Sequence, residues 1–163
     1  MKELVIISGK GGTGKTSLTA AFASLAENHV LCDADVDAAD LHLLLHPRVQ
    51  KTTDFMGGSI ASIRPEDCVE CGTCRDLCKF DAISEDFVVD AVSCEGCGVC
   101  VDLCPEKAID FPVQKCGEWF LSDTKFGPMV HARLGIAEEN SGKLVSVILH
   151  QAKSLSKKVK KEL

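Results

Sequence analysis

Residues 8–17 read SGKGGTGKTS and follow a short apolar run, Leu4-Val5-Ile6-Ile7. The stretch fits G-x-x-x-x-G-K-[ST], with Gly9, Gly14, Lys15 and Thr16 at the fixed positions. In such a loop the backbone amides turn inward toward phosphate oxygens, aided by the N-terminus of the helix that follows. Gly11, Gly12, Thr13, Gly14, Lys15, Thr16 and Ser17 are therefore the candidate phosphate-binding residues. Lys15 supplies a point charge to the β and γ phosphates, and the Thr16 hydroxyl is a Mg²⁺ ligand. The motif carries weight only between a strand and a helix. The run at 4–7 predicts a buried strand of a parallel sheet. Leu18, Ala21, Phe22, Leu25 and Ala26 recur at helical spacing and predict an amphipathic helix to about Glu27. A second lysine, Lys10, lies inside the loop, where phosphate binding does not require one.

Val30-Leu31-Cys32 predicts another short strand, with Asp33 at its C-terminal end. This β-loop-α-β order opens a doubly wound α/β domain with a parallel sheet, in which ligands bind at the C-terminal strand ends. Asp33-Ala34-Asp35-Val36-Asp37 would then lie beside the glycine loop. Carboxylates placed there hold Mg²⁺ through water or orient an attacking water. The plainer alternative is an acidic turn capping a helix built on Leu41, Leu43, Leu44 and Leu45. Residues 52–62, with Gly57-Gly58, predict a loop.

The composition then changes. Residues 61–112 hold eight of the ten cysteines, 12 of the 24 acidic residues and only 4 of the 18 basic ones. The whole negative balance of the chain, a formal charge of -6, resides there. The organisation expected is an α/β segment at 1–60, an inserted module at 61–112 and a return to the α/β domain at 113–163. In the last part, residues 118–121 and 129–132 predict strands. Asn140 or Ser141 caps a final helix whose stripe is Leu144, Ile148, Ala152, Leu155 and Val159.

The inserted module is an internal repeat. CVECGTCRDLCKFDAI (68–83) and CEGCGVCVDLCPEKAI (94–109) align without gaps at an offset of 26 residues. Each copy reads C-x2-C-x2-C-x3-C, the spacing of bacterial-type iron–sulfur modules, in which the fourth cysteine reaches the other cluster. The partition expected is Cys68, Cys71, Cys74 and Cys104 on one [4Fe–4S] cluster, with Cys94, Cys97, Cys100 and Cys78 on the other. Zinc ribbons use C-x2-C pairs across a longer loop, and a disulfide framework belongs to exported proteins. One departure marks the first copy: Cys78 precedes Lys79, whereas Cys104 precedes Pro105. Cys32 and Cys116 lie outside the repeats and read as core or spare thiols; the five histidines share no metal spacing.

The bulk numbers exclude several classes. A net charge of -6 argues against nucleic-acid binding. No run approaches the ~20 apolar residues of a membrane span, and the N-terminus lacks an export signal. A reducing, cytoplasmic setting is the expectation, where clustered cysteines bind metal.

GKGGTGKTS with its early lysine, together with CDADVDAADLHLLL, resembles the deviant phosphate-loop ATPases: MinD, the ParA-like partition ATPases and the nitrogenase iron protein. The cysteine island behind the second strand, and the late stretch WFLSDTKFGPMVHARLGIAEENSGKLV, narrow this to MinD-superfamily P-loop ATPases with an inserted two-cluster ferredoxin domain. The resemblance implies that Lys10 reaches across a dimer interface to the partner's nucleotide. It also implies that Asp33 is the Mg²⁺-associated acid and Asp35 the water-orienting one. Members of that family continue into an acidic switch strand, the Walker B region, which this chain does not contain. The chain is therefore expected to be truncated or completed by a second polypeptide, and its ATPase activity is left open. The implied cofactors are two [4Fe–4S] clusters, ATP and Mg²⁺. The implied partners are a homodimer mate or complementing subunit and a redox protein. Three functions follow: ATP-gated electron transfer through the clusters, a plain two-cluster ferredoxin with a vestigial nucleotide fold, or ATP-timed delivery of clusters or metal to a client.

Overall fold

The computed structural model describes residues 2–8, 12–135 and 141–159. In chain order the elements are α1 (Lys15–Leu25), β1 (Leu31–Asp33), α2 (Leu41–Leu45), β2 (Arg48–Ser59), β3 (Ser62–Ile63), α3 (Thr73–Leu77), α4 (Val99–Asp102), β4 (Ile109–Asp110), β5 (Val113–Thr124), β6 (Gly127–Leu134) and α5 (Ser141–Val159). They form two compact units, residues 1–55 with 116–163 and residues 56–115.

The first unit is a mixed α/β fold on a sheet ordered β1-β6-β5-β2. β1 runs parallel to β6, with Leu31 opposite Met129. β5 and β6 are antiparallel, from Gly117 opposite Leu134 to Thr124 opposite Gly127. The wholly parallel sheet expected from the sequence is thus corrected. Only Lys125 and Phe126 join β5 to β6, and a parallel crossover needs a dozen residues or more. The Thr124 hydroxyl fixes that turn: it donates to the Gly127 carbonyl at 2.8 Å and accepts from the Phe126 and Gly127 amides at 3.1 and 3.2 Å.

α5 lies against this sheet through most of the stripe its periodicity predicts; Leu155 is half-buried and Val159, at the end, is exposed. Leu144, Ile148 and Ala152 are fully buried among Val130, Ala132, Trp119 and Cys116. Removing such side chains from water, at roughly 25 cal/mol per Å² of apolar surface, is what anchors the helix. Ser141 is its first residue; the alternative cap, Asn140, lies outside the described residues. A second cluster joins Ala23 of α1 and Leu31 of β1 to Leu41 and Leu45 of α2 and to Met129.

Three expectations fail here. Residues 4–7 form no strand, and Leu4, Val5 and Ile7 are 65, 67 and 85% exposed. An all-apolar run is buried as a strand only with neighbours on both sides, and among the described residues none pairs with it. The α1 stripe shares this fate: Leu18, Phe22 and Leu25 are exposed, and Ala23 alone is buried. Residues 52–59, expected as loop, belong to β2. There Thr52, Thr53, Phe55 and Met56 favour an extended backbone, and Gly57-Gly58 weaken a strand without forbidding it.

The second unit repeats itself in space as in sequence. The bridge between Ile83 and Val89 corresponds, 26 residues away, to the pairing of Ile109 with Ile63. The Arg64 amide donates to the Ala108 carbonyl at 2.8 Å, and the Asp90 amide to the Ala82 carbonyl at the same distance. α3 and α4 each start on a left-handed glycine, Gly72 (φ 80°) and Gly98 (φ 76°). Even the non-glycine left-handed positions match, Asp81 at 50° and Lys107 at 51°. A small core of Ala61, Cys74, Ile83 and Ile109 holds the halves together.

Candidate nucleotide and cysteine sites

In the first unit, Gly12 (φ 78°) and Gly14 (φ 84°) adopt the left-handed conformation. Gly14 is the N-cap of α1, and its carbonyl accepts the Leu18 amide at 2.9 Å. A left-handed N-cap turns the chain directly into the helix, so the first amides of α1 stay unpaired and face any anion at that end. Lys15 and Thr16, in the first turn, are half-buried, whereas Thr13 and Ser17 are exposed. Gly9, Lys10 and Gly11 lie outside the described residues.

The acidic segment meets this loop. The Lys15 ammonium forms an ion pair with the Asp35 carboxylate. The Asp35 amide donates to Asp33 Oδ1 at 3.2 Å, while Asp33 Oδ2 is buried without a hydrogen-bond partner. Burial raises the Asp33 pKa above its ordinary value, against the lowering effect of the Asp35 and Leu41 amides. Lys15, Thr16, Asp33 and Asp35 together line one part of a groove of about 660 Å³, within the ~300–1,000 Å³ range of small-molecule sites. Residues 2–8 and α1 form much of its remaining wall.

The second unit contains two cavities whose walls are mostly sulfur and hydrocarbon. One is lined by Cys68, Cys71, Cys74 and Cys104, with Ile63, Phe87 and Ile109. The other is lined by Cys78, Cys94, Cys97 and Cys100, with Ile83, Val89 and Phe111. Each therefore takes three cysteines from one repeat and the fourth from the other. The exchange is geometric: α3 and α4 begin at the third cysteine's turn, so the fourth lies past the helix.

Hydrogen bonds and burial tune these thiols unequally. Cys71 Sγ lies 3.4 Å from the Thr73 hydroxyl, and that hydrogen bond lowers the thiol pKa, with the Thr73 amide adding to it. Burial raises Cys74, and proximity to Cys68 and Cys71 adds to the rise. Cys100 is raised in the same way, by burial and then by Cys94 and Cys97. The Ala108 amide donates to Cys104 Sγ at 3.3 Å. None of the ten cysteines is in a disulfide. Among the described residues, no three His, Cys, Asp or Glu side chains close to the spacing that one metal ion requires; the eight repeat cysteines instead stand around the cavities.

Cys32 and Cys116 are core residues. Burial, then Asp33 and Glu3, push Cys32 up to about 12, and Cys116 is 1% exposed. Three features of these sites escaped the sequence reading. Thr73 beside Cys71 is visible only once the turn is built. Ser59 packs so closely on Gly96 that a side chain there would collide with its carbonyl oxygen. Arg64 spans both repeats; extending the alignment four residues upstream sets it against Asp90, a reversal of charge that marks the position.

Among the described residues no helix is long and apolar enough to cross a membrane. No solved structure matches the chain. An uncharacterized protein of Methanocaldococcus jannaschii is 36% identical over 154 residues, which are 93% of this chain and 55% of that relative. The chain thus spans little more than half the length of the relative it matches. A family model for the CobQ/CobB/MinD/ParA nucleotide binding domain matches residues 4–161. The chain belongs to the CobQ/CobB/MinD/ParA nucleotide-binding domain family.

Proposed function

We propose that this protein is an iron–sulfur member of that family in which nucleotide binding gates electron transfer through two [4Fe–4S] clusters. The observation that carries the reading is the composition of the two cavities, each ringed by three cysteines of one repeat and the fourth of the other. Four thiols spread around a cavity suit a polynuclear cluster held at its corners. A single zinc ion needs four ligands converging on one point. When bound, the clusters supply one-electron chemistry at potentials set by charge, exposure and hydrogen bonds to sulfur. The residues present fit that group: left-handed glycines shape the turns, the lining is largely apolar although Cys71 and Cys97 are exposed, and the Ala108 amide already donates to Cys104.

On the nucleotide side, the amides from Gly11 to Thr16 and the Lys15 ammonium hold the phosphates of ATP. Thr16 and Asp33 would hold Mg²⁺, and Asp35, released from Lys15, would orient the attacking water. Lys10 completes the site of a dimer mate, and Lys10→Ala is expected to weaken ATP-dependent association. Residues 61–112 form the ferredoxin-like insert.

The test is the EPR spectrum of anaerobically reduced protein with and without Mg-ATP. Signals of two interacting clusters that shift with nucleotide support the coupled reading. Signals that stay fixed support a plain two-cluster electron carrier instead, a reading favoured by the engagement of Lys15 with Asp35.

A further inference from the structure

The two cysteine cavities are related by the repeat, but the ties around them are not. Arg64 Nε donates to Asp67 Oδ2 at 2.6 Å, Nη1 pairs with Asp110, and Nη2 donates to the Lys107 carbonyl at 2.7 Å. Its own amide donates to the Ala108 carbonyl. Asp67 immediately precedes Cys68, and Lys107 and Ala108 follow Cys104 on the turn whose amide reaches Cys104 Sγ. One guanidinium therefore fastens the turn bearing Cys68 to the turn bearing Cys104, two cysteines of one cavity that come from different repeats.

At the corresponding place in the other half stands Asp90. Its carboxylate accepts from the Val92 amide at 3.0 Å and from the Ser93 hydroxyl at 2.7 Å. The counterpart of Asp110 is Ser84, whose hydroxyl oxygen accepts the Val88 amide at 3.1 Å. These bonds stay within four residues of sequence. Among the described residues, the Cys78 turn is thus tied across the repeat by backbone pairing, without a side chain equivalent to Arg64.

We infer that Arg64 is a positioning residue that locks the Cys68/Cys71/Cys74/Cys104 cavity, and that the unlocked Cys78/Cys94/Cys97/Cys100 cavity releases its cluster first. The inference rests on the cluster reading above. A planar guanidinium with three partners on two turns loses little freedom per bond formed. It restrains the fourth ligand, the one contributed from the far repeat, whose departure opens a cluster to water and oxygen.

The experiment follows iron release from the anaerobically reconstituted full chain after addition of an iron chelator, with EPR recorded in parallel. Wild type is expected to lose iron in two phases of similar size. In Cys97→Ala protein, which retains the first cavity intact, only the slow phase should remain. Arg64→Gln should accelerate the slow phase about tenfold, the lower end for residues that orient metal ligands, and leave the fast phase unchanged. Arg64→Lys, which keeps the charge but not the fork, should fall between. If Arg64→Gln does not load, Asp110→Asn removes one arm and is expected to accelerate the slow phase alone. Single-phase release from wild type, or a slow phase insensitive to these variants, overturns the inference. A wild-type chain that binds neither iron nor sulfide overturns the cluster reading itself.

Discussion

Lys15 and Asp35, twenty residues apart, form an ion pair at the first turn of α1. The lysine whose charge the motif reserves for phosphate is already neutralised, by a carboxylate that follows β1. On the function proposed above, nucleotide displaces Asp35 before Lys15 reaches phosphate.

That competition has a measurable size. The two side chains are 31 and 33% exposed, so solvent limits the pair to about 1 kcal/mol or less. Asp35→Ala should tighten binding of Mg-free nucleotide by up to about fivefold, read by anisotropy of a fluorescent analogue. Lys15→Ala should reduce binding severely. An Asp35→Ala protein with unchanged affinity would show that the pair does not compete with phosphate.

Asp33 makes a prediction about stability and pH. Its folded pKa is raised above the ordinary 3.8, chiefly by burial, so the folded state holds this proton more tightly than the unfolded chain does. Stability is then fully present below the ordinary value and falls as pH rises through the raised one. Asp33→Asn keeps the acceptor for the Asp35 amide and removes the buried charge. It should be more stable than wild type to denaturant at pH 7, with the difference vanishing near pH 4. A variant no more stable at pH 7 would contradict the burial argument.

His131 works in the opposite direction. Burial, and secondarily His42, lower it from 6.5 to about 4. Its Nε2 lies 2.9 Å from the Ser122 hydroxyl, and its ring stacks on Phe120 at 4.8 Å. The unfolded chain takes up this proton first as pH falls. The contribution is therefore intact above pH 6.5 and is lost as pH drops toward 4, on the order of 3 kcal/mol in all. His131→Gln should flatten the decline of stability between pH 6.5 and 4. Equal slopes for the two proteins would show that His131 titrates normally.

Gly96 tests the cysteine turns. Its φ is +61°, and a Cβ there would strike the Ser59 carbonyl oxygen. Gly96→Ala should cost about 2 kcal/mol or more and reduce iron bound in the Cys78/Cys94/Cys97/Cys100 cavity. Gly72→Ala meets only open van der Waals contact and should cost about 1 kcal/mol, from backbone strain alone. Equal losses for the two variants would contradict this.

The sequence was most legible where chemistry constrains spacing. The 26-residue repeat, with four cysteines at fixed intervals in each copy, is legible from spacing alone, and its halves recur in the paired backbone of the second unit. The stripe at Leu144, Ile148 and Ala152 foretold the buried face of α5. The strand at 4–7 and the burial of the α1 stripe were misjudged, although the α1 helix forms, because an apolar run states that a segment should be buried, not what will bury it. The β5–β6 hairpin was missed because Thr124-Lys125-Phe126-Gly127 carries its turn signal in a threonine hydroxyl rather than in an Asn-Gly pair. The Lys15–Asp35 and Arg64 pairs depend on tertiary approach, to which periodicity is blind.

The most direct measurement is the metal and sulfide content of protein purified and reconstituted without oxygen. Two [4Fe–4S] clusters predict about eight irons and eight acid-labile sulfides per chain. Cys71→Ala and Cys97→Ala should each reduce both counts by about half. Stoichiometric zinc with no labile sulfide would contradict the account.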